Sequence, residues 1–224
     1  MPPTGLNVRA VLFDLDGTLI DSAPDLAGAG NDMRVARGLS PLPLSHFRPM
    51  VGSGARGMVG RAFDVGPQDS TFVALRDEFL QRYEDRMTRE TRVFADMLPV
   101  LAAFDARAMP WGIVTNKAMR FTDPLVRALG LLPRAAALVC GDTTPHSKPH
   151  PEPLFEAARR LGVAPGDCVY VGDDLRDVQA GRAAGMATVA VHWGYLGEGD
   201  AIEDWGADHR VQTPHELLKL LQMA

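Results

Sequence analysis

The chain has little of what marks several functional classes. Only two cysteines occur in its 224 residues. Cys140 and Cys168 both lie in short apolar runs, which fits buried free thiols in strands better than a disulfide, a metal pair or a nucleophile. Histidine is also scarce. His146 and His150 flank Lys148 without any paired zinc-ligand spacing, so they read as solvent-facing loop residues. Twenty-three basic residues against 28 acidic ones leave a net charge of -5, and the basic residues are scattered. That argues against nucleic acid as a partner, because its binders show a clustered basic excess. No uncharged apolar stretch approaches the roughly 18 residues that a spanning helix needs, and Met1 to Arg9 carries no apolar signal core. The expectation is a cytoplasmic protein with no membrane partner. There is no internal repeat or low-complexity tract.

What is present begins with Ala10-Val11-Leu12-Phe13-Asp14-Leu15-Asp16-Gly17-Thr18-Leu19, a continuous apolar run that ends in two carboxylates spaced two apart. Apolar residues on both faces predict a strand buried on both sides of a parallel sheet. Period-2 geometry then puts Asp14 and Asp16 on one face while the chain is extended. Gly17-Thr18 reads as a turn, so the two acids sit at a carboxyl strand end, where open α/β sheets place their sites.

Ser22 to Gly38 reads as a weakly periodic helix. Leu39 to Arg61, with several prolines and with Gly52, Ser53, Gly54 and Gly57, reads as helices broken by a flexible loop. Ser70 to Met87 is a clearer helix, with Phe72, Leu75, Phe79, Tyr83 and Met87 at helical spacing and a charged opposite face. No convincing strand falls between residue 20 and about residue 90. Beyond that point strands at Trp111–Val114, Leu138–Cys140, Cys168–Val171, Ala187–Val191 and Arg210-Val211 alternate with helices. The fold class expected is α/β, a doubly wound parallel sheet. Residues 1–19 and 90–224 would form this Rossmann-like core, and residues 20–89 an inserted helical domain.

Three further signals follow predicted strands of that core: Thr115-Asn116-Lys117, Ser147-Lys148-Pro149 and Gly172-Asp173-Asp174-Leu175-Arg176-Asp177. All would lie at the carboxyl edge that holds Asp14 and Asp16. Singly each has a plainer explanation, as a helix cap, a surface lysine or a turn. Together they bring up to four negative charges, Asp14, Asp16, Asp173 and Asp177, to one edge, which like-charge repulsion opposes. One divalent cation and Lys148 supply three positive ones. Magnesium suits the set, since it takes one or two carboxylates, several waters and phosphate oxygens. A carboxylate beside a metal can attack phosphorus. Asp14 is the candidate nucleophile and Asp16 the acid/base, with Thr115, backbone amides and Lys148 on the phosphoryl oxygens.

These four signals in this order, spanning nearly the whole chain, resemble the haloacid dehalogenase-like hydrolase superfamily and specifically its phosphatases. The resemblance implies that Asp14 is the nucleophile and Asp16 the acid/base. It implies Mg²⁺ on Asp14, the Asp16 main-chain carbonyl and Asp173, with Asp174 and Asp177 acting through water or at one remove. Thr115, Asn116 and Lys148 would bind phosphate. The helical insert looks like the family's mobile cap, and Val51 to Gly57 like its specificity loop, with Arg56 reaching an anionic group of the substrate. Together with Trp111 to Lys117 and His192-Trp193-Gly194-Tyr195, this loop is similar to the phosphoglycolate phosphatase branch. The tail Asp204-Trp205-Gly206-Ala207-Asp208 is also similar to that branch's neighbour, which acts on N-acetylmuramate 6-phosphate. The resemblance thus implies a phosphomonoester hydrolase of carbohydrate metabolism, a monomer or homodimer, for a small acidic metabolite. The first choice is 2-phosphoglycolate, the alternative the muramate ester, and a β-phosphoglucomutase-like phosphomutase stands behind both. A dehalogenase has no use for Asp16, and a non-catalytic module has none for so costly a charge cluster.

Overall fold

A computed structural model describes residues 5–223 of the chain. The N-terminal stretch considered above lies outside them for residues 1–4, as does residue 224. The strands are β1 (Ala10–Phe13), β2 (Ile20–Asp21), β3 (Arg92–Val93), β4 (Trp111–Val114), β5 (Ala137–Val139), β6 (Cys168–Gly172), β7 (Ala187–Val191) and β8 (His209–Val211). Six of them form one parallel sheet in the order β5-β4-β1-β6-β7-β8. Phe13 is in register with Ile113 on one side and Val171 on the other. The carboxyl ends of β1, β4 and β6 therefore lie side by side.

Alternation along the strands sorts the core into two layers. Val11, Phe13, Trp111, Ile113, Val169 and Val171 pack on one face with residues of α5 (Met97–Ala106), α6 (Met119–Ala128) and α9 (Pro214–Leu220). Ala10, Leu12, Val114, Cys168 and Tyr170 face the other way, against α7 (Glu152–Leu161) and α8 (Leu175–Ala183). This is the doubly wound arrangement expected from buried runs of strand. Each fully buried large apolar side chain contributes about 1.5–3 kcal/mol of burial free energy, so the two layers hold the sheet edge as a rigid platform.

The chain divides into two compact units. One holds the described residues up to Ile20, Val93–Gly194 and the chain from Asp200 onward; the other holds Asp21–Arg92 and Tyr195–Gly199. The chain leaves the first in β2 and returns in β3, which pair as a short second sheet. These two-residue strands correct the expectation of no strand near there; they are too short to show a period.

The second unit contains α1 (Ala23–Val35), α2 (Leu44–Phe47), a 3₁₀ turn over Arg48–Ser53, α3 (Gly54–Phe63) and α4 (Phe72–Glu84). The flexible loop expected around Val51 to Gly57 is instead helical, with the break confined to Gly54 at φ +60°. Within Val51 to Gly57, Gly54 alone has the positive φ that favours glycine. The start of α1 has no side-chain cap of its own. The Tyr195 hydroxyl accepts from the amides of Ser22 (2.8 Å) and Ala23 (3.1 Å) and donates to Asp21 (3.0 Å). That assignment of Tyr195–Gly199 has no sign in the local sequence pattern. Among the described residues no helix is long and apolar enough to cross a membrane.

Candidate active site

Asp14 follows the last residue of β1, and its amide donates to the Val171 carbonyl at 2.9 Å. Its carboxylate Oδ1 accepts from Lys148 Nζ at 2.8 Å. The same ammonium reaches Asp177 Oδ1 (2.7 Å), the Tyr170 hydroxyl (2.7 Å) and the Val114 carbonyl (3.0 Å). Lysine has three N–H donors, so four acceptors compete for them. The Lys148 backbone is held in turn by Asn116. Its carboxamide donates to the Lys148 carbonyl and accepts from the Lys148 amide, both at 2.9 Å. The Asn116 carboxamide thus braces the backbone that carries Lys148.

On the other flank, Asp173 begins the turn after β6 and accepts from the Thr18 hydroxyl at 2.7 Å. Two glycines make room for the acids. A Cβ at Gly194 would overlap the Asp173 carboxylate, and one at Gly172 would overlap that of Asp177. Asp177 is buried at the third position of α8, where its Oδ2 accepts from the Asp174 amide at 3.1 Å. Asp174 caps the helix. Its carboxylate takes the Arg176 amide at 2.9 Å and the Arg176 guanidinium at 2.7 Å. Burial pushes its pKa up, but Arg176 outweighs this and holds the carboxyl below its ordinary range.

Ligand atoms of Asp14, Asp173 and Asp177 all lie within 4.8 Å of one another. Three carboxylates against the single Lys148 leave two negative charges in excess, the charge of one divalent cation. An all-oxygen donor set fits a hard ion. Asp177, expected to act at one remove, is therefore a member of this group, whereas Asp174 is committed to its helix. Burial drives the Asp14 pKa up to about 7, partly opposed by Lys148. Burial also works against the Lys148 charge, but Asp14 and Asp177 outweigh it and raise its pKa. The Tyr170 phenol is pushed well above its ordinary value by burial and by Asp177.

Asp16 sits one turn on, before Gly17 at φ +88°. Both its carboxylate oxygens accept from Lys117 Nζ, at 2.9 and 3.0 Å. Thr115 is buried at the end of β4, its hydroxyl accepting from the Lys117 amide at 3.2 Å. Asp14, Asp16, Thr115, Asn116, Lys148, Asp173 and Asp177 thus meet at one sheet edge. Arg56 belongs to the second unit, where it lines a cavity of about 630 Å³ with His46, Met50, Arg61 and Asp64.

Sequence reasoning missed Lys117, Tyr170 and the Thr18 contact. The one signal for Tyr170 was a hydroxyl in an otherwise apolar strand, and such a group needs a partner when buried. Lys117 stood in plain view within a motif but had no visible partner.

A family model described as haloacid dehalogenase-like hydrolase matches residues 8–185. The chain is 43% identical over 219 residues to an N-acetylmuramic acid 6-phosphate phosphatase of Pseudomonas putida, covering 98% of each chain. It is 46% identical over 213 residues to a phosphoglycolate phosphatase of Xanthomonas campestris, covering 93% of this chain and 94% of that one. A crystal structure of a protein described as a predicted phosphoglycolate phosphatase from Haemophilus somnus superposes with a TM-score of 0.83. The two are 26% identical, over 96% of this chain and 98% of that one. With a parallel sheet that gathers these acids and Lys148 at its carboxyl edge, and with relatives of this kind along nearly its whole length, the chain belongs to the haloacid dehalogenase-like hydrolase family and, within it, to the phosphatases.

Proposed function

We propose that the chain is a Mg²⁺-dependent phosphomonoester hydrolase that works through an aspartyl-phosphate on Asp14, with 2-phosphoglycolate as its substrate. The observation that carries this reading is the buried Lys148 ammonium lodged between Asp14 and Asp177, with Asp173 completing an acidic group. An Asp14 oxygen attacks phosphorus, and the ester P–O bond breaks as Asp16 gives a proton to the leaving alkoxide. Water then attacks the phosphoenzyme, Asp16 takes its proton, and phosphate leaves with Asp14 restored. Lys148 and Thr115 meet the charge on the phosphoryl oxygens. Asp14, Asp173 and the Asp16 carbonyl would hold Mg²⁺, with Asp177 in the same acidic group, and the bound ion would supply charge neutralisation at the transferring group.

We read residues 20–89 as the cap that chooses the substrate, Arg56 meeting its second anionic group. The working form is a cytoplasmic monomer or homodimer acting on small phosphorylated metabolites. N-acetylmuramate 6-phosphate is a second reading, favoured by relatives named for that activity in Pseudomonas putida and Pseudomonas aeruginosa, 43% and 42% identical over 98% of this chain. The test is phosphate release from both esters and a panel of sugar phosphates, with and without Mg²⁺. A higher kcat/KM for phosphoglycolate supports the first reading, and preference for the muramate ester replaces it with the second. Isomerised sugar phosphate without free phosphate would point to a mutase instead.

A further inference from the structure

Thr115-Asn116-Lys117 follows β4, and its successive side chains do different work. Asn116 clasps the backbone of Lys148. Lys117 reaches Asp16 and spans both its carboxylate oxygens. The base of the Lys117 side chain is fixed: its amide donates to Thr115 Oγ1 at 3.2 Å, and its carbonyl accepts from Gly141 at 2.9 Å and from Thr122 Oγ1 at 3.3 Å. The pair is mostly sheltered, with side chains 11% and 16% exposed. A surface pair between two long, mobile side chains fixes little. Here the lysine is anchored at its root and Asp16 lies in the first turn after β1, so the contact limits where the carboxylate can point.

We infer that Lys117 is a positioning residue for Asp16, holding its carboxylate at the reacting edge for proton transfer. This rests on the reading of Asp16 as acid and base. Proton donation matters in proportion to how badly the leaving group needs a proton. The value of kcat/KM reports steps up to release of that group. Loss of Lys117 is therefore selective: an alkyl phosphate suffers, whereas a dinitrophenyl ester, whose leaving group departs as a stable anion, does not.

The experiment measures kcat/KM of Lys117→Met, Lys117→Arg, Asp16→Asn and the unaltered enzyme. The substrates are the better alkyl phosphate of the panel above and dinitrophenyl phosphate, with thermal melting as a folding check. Lys117→Met is expected to lose about 100-fold on the alkyl ester, within the range for a general acid, and little on the aryl ester. Asp16→Asn shows the same pattern, and Lys117→Arg recovers most of the alkyl activity. Equal losses on both esters, or no loss on either, in Lys117→Met would overturn the inference while leaving Asp16 intact. If Asp16→Asn itself fails to discriminate, the fault lies in the reading of Asp16, and the inference goes with it. Should Lys117→Met not fold, Lys117→Gln, which keeps a donor but not the charge or full reach, carries the same comparison.

Discussion

Arg86 in the helical unit and Lys148 at the sheet edge are both cations set against three carboxylates. Arg86 pairs with Asp25, Asp32 and Glu90, and a Cβ on Gly28 would overlap its guanidinium. Asp25 is fully buried and its Oδ2 takes the amides of Glu90 (2.9 Å) and Thr91 (2.8 Å) and the Thr91 hydroxyl (2.8 Å). The other two acids have side chains 50% and 59% exposed, so water carries the surplus charge. Around Lys148 the surplus stays inside: Asp173 and Asp177 are 4% and 2% exposed. Equal charge counts thus make a structural clasp where solvent reaches the acids and a candidate cation site where it does not. Buried charge must be paired or must coordinate a metal.

The largest expected effect falls on the sheet edge. Asp14→Asn removes the proposed nucleophile, and phosphate release is expected to fall by at least about 1,000-fold with melting temperature unchanged or raised. Retained turnover in a phosphate-release assay would reject the covalent mechanism. Arg86→Met tests the other side of the comparison. Breaking a fully buried pair costs about 3–5 kcal/mol, and here about 2–3 kcal/mol is expected in urea unfolding because Asp32 and Glu90 remain hydrated.

Metal addition separates the two clusters most directly. Mg²⁺ at about 100 times its Kd is expected to stabilise the protein by about 2.7 kcal/mol. That shift should vanish in Asp173→Asn and persist in Arg86→Met; persistence in Asp173→Asn would show that the acidic group at the sheet edge is not the metal site. Tyr170→Phe is milder. Lys148 has more acceptors than protons, so losing one is expected to cost about 1 kcal/mol and less than tenfold in kcat, roughly one hydrogen bond's worth. The smallest signal is chemical. Burial pushes the Cys140 and Cys168 thiols up to about 11, so both stay protonated at pH 8 and should resist a thiol-specific disulfide reagent in the native protein. Both lie in the sheet-bearing unit, so Arg86→Met should leave them unreactive unless the core opens too.

The sheet was legible because its strands are nearly continuous apolar runs. The gathering of candidate residues at one edge was legible because Asp14, Thr115 and Asp173 directly follow such runs and Lys148 lies in the loop after another. Less could be read where local pattern is weak. The Val51 to Gly57 stretch carries glycines that suggest a loop, yet packing buries Gly57, Met58 and Val59 in a helix. Tyr195 caps a helix that begins 172 residues earlier, a pairing no local window contains. The Asn116 carboxamide also braces the Lys148 backbone, a contact with a partner 32 positions away.

By itself the sequence determined the parallel sheet, the acids at its carboxyl edge and the family resemblance, because apolar period and chain order are local properties of the chain. Tertiary structure alone decided which charges meet: Asp177 joining Asp14 across Lys148, Lys117 gripping Asp16, and Tyr170 turning its hydroxyl into the cluster. Those outcomes depend on which strand ends become neighbours and on how far water is excluded between them. Coulomb energy and desolvation are set by distance and burial in space, and spacing along a chain encodes neither.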